Sequence, residues 1–223
     1  MAPLLCVRNI AVKDRREPLT LELEPGGQTL CITADEQELR HLLHLCCGMA
    51  LPSHDQVLLD GIDTAALSRQ QLLGLRRGFG IVTATGGLIA NLKLWENITL
   101  PCLYRQGSIT PEDEQQAMEL LIAFGYTGNL LALPGHLSLF ERRMAAFVRA
   151  AISRPRLMLY AGCFDNLTTA HCRLLLQQAR QLHENIPGLA SLYLTTSSTA
   201  LETLHPDCIL DLQHRSTTPE RSP

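Results

Sequence analysis

Lysine is nearly absent from this chain of 223 residues: only Lys13 and Lys93 occur, and every other basic side chain is arginine. A phosphate site built here would therefore rest on arginine, backbone amides or a partner. There is no excess of positive charge, because 22 acids outnumber 19 bases for a formal net charge of −3, so the balance gives no reason to expect nucleic acid. No apolar run approaches the roughly 20 residues that cross a bilayer. The first residues, MAPLLCVRNIAVKDRR, lack a basic start and carry only a short apolar stretch, so no secretory signal is expected. No C-x-x-C pair occurs among the 8 cysteines. Most of them, Cys6, Cys31, Cys46, Cys47, Cys102 and Cys208, sit inside apolar strand or helix patterns, which suits reduced thiols acting as small hydrophobes in a cytoplasmic protein. Internal repeats and low-complexity blocks are also missing.

What is there is alternation. At 46% hydrophobic content the chain has ample material for one packed core. PLLCVRNIAV (3–12) and PLTLELEP (18–25) read as strands, the second alternating Leu19, Leu21 and Leu23 against polar neighbours. Pro25-Gly26-Gly27 turns into the strand QTLCIT (28–33), followed by a helix over about 37–47 with Leu39, Leu42, Leu43 and Cys46 on one face. QVLLDG (56–61) is the next strand, Ser68 caps a helix over QQLLGLRR, and GFGIVT (78–83) is a buried strand. From Gly86 to Arg149 the pattern is mainly helical. Pro111-Glu112-Asp113-Glu114 opens a helix to Phe124, and Ser138 with Glu141 forms a capping-box pair for a helix to about Ile152. Strands return at 156–160, 191–196 and 208–213, with a helix over about 168–184 between the first two. Strands alternating with helices around a helical middle predict an α/β fold with a parallel-rich sheet, an antiparallel β element at the N-terminus and an inserted helical lobe. The expected organisation is one domain over 1–213 (core about 1–85 and 150–213, lobe about 86–149), with a flexible tail over 214–223.

The junction Thr33-Ala34-Asp35-Glu36-Gln37-Glu38-Leu39-Arg40-His41 stands where a strand-to-helix phosphate loop belongs. Such a loop carries G-x-x-x-x-G-K-[ST]; its backbone amides wrap the phosphates, its lysine meets their charge and its hydroxyl holds Mg²⁺. In this chain no glycine and no lysine occupies it.

The ordered series of segments resembles the ATP-binding-cassette (ABC) ATPase family over nearly the whole chain, which implies a P-loop NTPase-like core. Pro25-Gly26, the strand and junction, Gly48 and LLDGIDTAALS match its opening; FGIVTATGGLIANLKLWENITLP (79–101) is similar to its glutamine-loop region. LSLFERRMAAFVRAAISRPRLMLY (137–160) resembles the signature helix leading into the Walker B strand, and Cys163–Thr168 stands at the D-loop. Within the family, GGLIANL and ENITLP are similar to the ATPases of MCE-type lipid transporters.

Carried over residue by residue, the resemblance puts Thr33, Glu36 and Glu38 at the three glycines of the phosphate loop, with Asp35 between them. Leu39 stands at its lysine, and Arg40 and His41 at its hydroxyls. Ala84 falls at the glutamine, Ala161 at the Walker B aspartate, Gly162 at the catalytic glutamate, Thr168 at the D-loop aspartate and Thr196 at the switch histidine. LSGGQ reads Leu137-Ser138-Leu139-Phe140-Glu141. Phosphoryl transfer depends on positioning and on neutralising charge. A carboxylate about 5 Å from one phosphate charge costs roughly 3 kcal/mol at an effective dielectric of 20, so Asp35, Glu36 and Glu38 oppose a triphosphate. No catalytic residue, no metal site and no cofactor is expected; ATP and Mg²⁺ enter only if the chain is a weakly active ATPase.

The resemblance implies a non-catalytic subunit of a membrane transport complex, with lipid among the cargoes it allows, associated with the inner face of the membrane. Its partners would be a transporter membrane subunit and an identical or ATP-competent cassette, with Leu88, Leu92, Leu94 and Trp95 as contacts for the former or as lobe core. The alternative from a different class is a soluble scaffold or regulator reusing the fold without a transporter. Simpler roles compete at several positions. The acids at 35–38 suit a helix start; Arg142 and Arg143 suit a solvated face; His41, His44 and Cys46 need not hold metal, nor Cys163 and Cys172 form a redox pair.

Overall fold

The computed structural model describes residues 3–10, 18–50, 56–197 and 204–213. Two sheets organise them. The first is antiparallel and joins β1 (Leu5–Ile10), β2 (Leu19–Leu23), β4 (Gln56–Leu59) and β5 (Ile62–Asp63) in the order β2-β1-β4-β5. Leu5 lies opposite Leu23 on one side and Leu59 on the other, so the apolar phase of all three strands points one way. The second sheet joins β3 (Gln28–Ile32), β6 (Phe79–Thr83), β7 (Leu157–Ala161), β8 (Ala190–Thr195) and β9 (Cys208–Asp211) in the order β6-β7-β8-β3-β9, with every pairing parallel.

Alternation along β7 divides the core. Met158 and Tyr160 face a cluster built with helices α3 (Leu94–Gln106), α4 (Pro111–Ala123), α5 (Leu139–Ala151) and α6 (Thr169–Asn185). Leu157, Leu159 and Ala161 face a second cluster with α1 (Glu36–Cys46) and the antiparallel sheet. Both faces of the parallel sheet are thus covered, as its unbroken apolar strands require. The Tyr160 and Tyr193 rings stack at 4.8 Å in the first cluster.

The capping signals act as the sequence suggests. Ser68 and Gln71 close a capping box on α2 (Arg69–Arg76), Thr110 and Asp113 on α4, and Ser138 and Glu141 on α5. Three details depart from the reading. Strand β5 is two residues long, too short for any periodic signal. The stretch 86–93 is not helical; fully buried Asn97 holds it, its side chain accepting the Ile89 N–H and donating to the carbonyls of Ile89 and Leu92. Helix α3 also tolerates Pro101 in its interior, although proline supplies no N–H to the helix ladder. Expected strand residues 11–12 and the tail 214–223 lie outside the described residues.

None of the eight cysteines is in a disulfide, and seven are buried. Burial pushes the Cys47 thiol up to about 12, so it behaves as an uncharged apolar group.

Candidate functional site

Only three residues, Thr33, Ala34 and Asp35, connect β3 to α1, because the helix already begins at Glu36. Asp35 is its N-cap: its side chain accepts the Glu38 N–H at 2.8 Å. The Glu38 carboxylate turns back and accepts the Ala34 N–H at 2.8 Å. Thr33 is fully buried and donates its N–H to the Thr195 carbonyl. Three amides of this junction, those of Thr33, Ala34 and Glu38, are therefore spent on the chain's own carboxylates and carbonyls. Glu36 and Arg40 form an exposed i,i+4 pair at 4.0 Å, and His41 faces solvent.

An open cleft of about 390 Å³ lies beside this helix start. The structure brings Leu39, Ala84, Ala161 and Gly162 together along its wall. Gly162 has φ +64, and a Cβ placed there would meet Ala84 Cβ at 3.3 Å and Leu39 Cδ1 at 3.7 Å. That backbone conformation favours glycine, so the position offers no relaxed seat for a glutamate. Leu39 is buried at 8% exposure and belongs to the core cluster under the antiparallel sheet.

Two carboxylates line the cleft, Glu36 and Asp165, and the second is the more deeply engaged. Thr195 Oγ1 donates to one of its oxygens, and the Thr196 N–H and hydroxyl donate to the other at 3.2 Å each. Thr168 is elsewhere employed as the N-cap of α6, accepting the His171 N–H at 3.2 Å. Mg-nucleotide does not fit this set of residues. The Ala34 and Glu38 amides bond the chain's own carboxylates, no acid stands at 161 or 162, and Asp165 is bonded to threonines. Among the described residues no group of three or more His, Cys, Asp or Glu could hold a metal ion. On α1 itself His41 and His44 are exposed while Cys46 is buried.

Leu137–Glu141 does not line the cleft. The Ser138 hydroxyl accepts the Glu141 N–H at 3.2 Å, and the Glu141 carboxylate accepts the Ser138 N–H at 2.7 Å. Leu137 is buried; Leu139 is half-buried, and Phe140 stacks on His171 with ring centroids 4.0 Å apart. Two side chains thus cover the backbone that glycines would have left open.

Two arginines on α5 matter more than their sequence context suggests. Arg143, expected on a solvated face, is instead 2% exposed. Its guanidinium donates to the carbonyls of Ala84 at 2.6 Å, Cys163 at 3.0 Å and Asp165 at 2.6 Å. Arg149 donates to the carbonyls of Gly87 at 2.9 Å and Gly86 at 3.2 Å. Helical spacing carried the signal, since Arg143, Phe147 and Ala150 share one face; the adjacent exposed-type Arg142 masked it.

Of the candidate membrane-subunit contacts, Leu94 is fully buried and its N–H bonds the Ala132 carbonyl, so it is lobe core and is corrected as a surface contact. Leu88 and Trp95 are partly buried and pack against the core, and Leu92 is half-buried. More open is a groove of about 280 Å³ between α2, β6 and α3, lined by Arg76, Arg77, Phe79, Pro101, Tyr104 and Arg105 among others. Tyr104 is 81% exposed there.

No protein-family model matches the sequence. The chain is 27% identical over 187 residues to the intermembrane phospholipid transport system ATP-binding protein MlaF of Haemophilus influenzae, covering 81% of this chain and 70% of that protein. It is 33% identical over 150 residues to the lipoprotein-releasing system ATP-binding protein LolD of Pseudomonas syringae pv. tomato, covering 67% of this chain and 66% of that protein. The chain belongs to the ATP-binding-cassette family. Against the methionine import ATP-binding protein MetN of Vibrio cholerae, at 26% identity, it spans 47% of the relative's length. Among solved structures, the dimeric ABC transporter cassette MJ0796 superposes with a TM-score of 0.80 at 19% identity, covering 97% of this chain and 98% of that one. An ATP-binding subunit of an ABC transporter gives 0.77 at 21% identity, over 98% and 90% of the two chains. At such identities the structural likeness shows the fold alone. No helix among the described residues is long and apolar enough to cross a membrane.

Proposed function

We propose that this chain is a non-hydrolysing ABC subunit that contributes structure, not ATP turnover, to a membrane transport complex. The observation that carries the reading is the cleft wall: leucine, alanine, alanine and glycine occupy the positions at which the family places lysine, glutamine, aspartate and glutamate. Capping of α1 by Asp35 and Glu38 supports it independently, because it places two carboxylates where phosphate charge would lie. An identical or ATP-competent cassette is its partner, at the inner face of the membrane. Similarity to MlaF favours a lipid among the possible cargoes.

The membrane subunit is proposed to dock on the lobe near Leu88, Leu92 and Trp95 and over the groove marked by Tyr104. Co-expression with a candidate permease and cassette tests the assignment. The expected result is a stoichiometric detergent-solubilised complex, in which Tyr104→Asp weakens the chain's retention. Recovery of the chain only as a lone monomer contradicts it and favours a scaffold outside any transporter.

A further inference from the structure

Two loops line the cleft, the one after β6 (84–87) and the one after β7 (162–168), and the start of the loop after β8 (196–197) bonds to Asp165 beside them. Each begins at the C-terminal end of a parallel strand, where open α/β sheets place their ligands. Here they are bridged from within.

The bridge starts on α5. Arg143 spends Nε on the Ala84 carbonyl and Nη1 on those of Cys163 and Asp165, so one planar guanidinium ties the first two loops to the helix. Asp165 extends the tie: its carboxylate receives the hydroxyls of Thr195 and Thr196 and the N–H of Thr196, which brings in the third loop. Arg149, one helical face away on α5, takes the carbonyls of Gly86 and Gly87 and fixes the far side of the first loop. Gly86 completes the contact, since a Cβ there would lie 2.5 Å from the Arg142 carbonyl oxygen.

We infer that Arg143 is a positioning residue that, through Asp165, locks these three loops to α5. Carbonyl dipoles rather than a paired carboxylate receive this buried cation, and no ion pair to Arg143 occurs among the described residues. Burial lowers its pKa from the ordinary arginine value, yet the guanidinium remains charged and spreads its charge over three acceptors. The lobe helix and the sheet therefore present one fixed shape to a partner. This inference does not depend on the transport reading, since it concerns the isolated chain.

Amide hydrogen exchange on the isolated chain tests it. Arg143→Met is expected to accelerate exchange about tenfold or more at 84–87, 162–168 and 195–197 together, while amides of the antiparallel sheet keep their protection. Asp165→Ala is the second variant. It should free 195–197 and leave 84–87 protected, because the Arg143 bond to the Ala84 carbonyl does not pass through its side chain. Arg143→Lys, with one ammonium in place of a fork, should fall between wild type and Arg143→Met. If Arg143→Met loosens only α5, changes nothing, or raises exchange uniformly across both sheets, the latch is overturned. Should that variant fail to fold, release of all three loops by Asp165→Ala, or of none, overturns it equally.

Discussion

The Asp35 carboxylate accepts the Glu38 N–H at 2.8 Å, while the Glu38 carboxylate accepts the N–H of Ala34, the residue just before the cap. The pair shows how the strand-to-helix junction satisfies two of its own amides. A phosphate loop leaves amides pointing into space for a ligand; this junction supplies its own anions and starts the helix immediately. Asp35→Ala is expected to cost about 1 kcal/mol, the usual worth of an N-cap, in urea denaturation. Glu36→Ala should change stability by less than about 0.5 kcal/mol, since Glu36 makes only an exposed i,i+4 pair.

Restoring the missing lysine should not restore nucleotide binding. Leu39→Lys replaces a buried apolar side chain within the core cluster by an ammonium beside Ala84 and Gly162. Lost packing and a partly desolvated charge predict a stability loss of roughly 2–4 kcal/mol. Denaturant midpoints check the loss. A titration with MgATP checks that no affinity appears.

Tyr160 offers a prediction of the opposite sign. Its ring is fully buried and stacked on Tyr193, yet its hydroxyl finds no hydrogen-bonding partner among the described residues. An unsatisfied buried hydroxyl carries a desolvation penalty, so Tyr160→Phe should leave stability unchanged or raise it by about 1 kcal/mol. A drop of 2 kcal/mol or more on this scale would mean that the hydroxyl has a partner, such as an internal water.

The patterned parts of this fold were legible in its sequence. Alternation located the strands, Ser68 and Ser138 marked helix starts because capping is a local interaction of four residues, and Pro111 with its acidic neighbours marked the start of α4. The cleft wall was legible position by position, since the order of segments set the alignment. Asp165 was not, because its role comes from two threonines 30 and 31 residues away. Arg143 was misread for a related reason: its acceptors are backbone carbonyls, which leave no mark in side-chain identity. Leu94 was misplaced because an apolar residue at a helix start reads the same whether it faces the lobe core or a partner.

His183 sets an acid-side dependence. Burial lowers its pKa below the ordinary 6.5, outweighing the opposing effects of the Gly26 backbone, Asp207 and Glu184; its Nδ1 sits 3.1 Å from the Ser191 hydroxyl. A depressed folded-state value means that the unfolded chain binds the proton more readily. The contribution is thus present above pH 6.5 and is lost as pH falls below it. Denaturant midpoints measured between about pH 7.5 and 5 should fall for the wild type and fall less for His183→Gln.

The account turns on whether this subunit takes nucleotide at all, and isothermal titration of MgATP into the purified chain tests that most directly. The prediction is no saturable heat up to about 1 mM nucleotide, with equilibrium dialysis of labelled ATP giving the same answer. Saturable binding at micromolar concentration, of one nucleotide per chain, would contradict it, since the carboxylates of Asp35 and Glu38 would then have to leave the amides they now occupy.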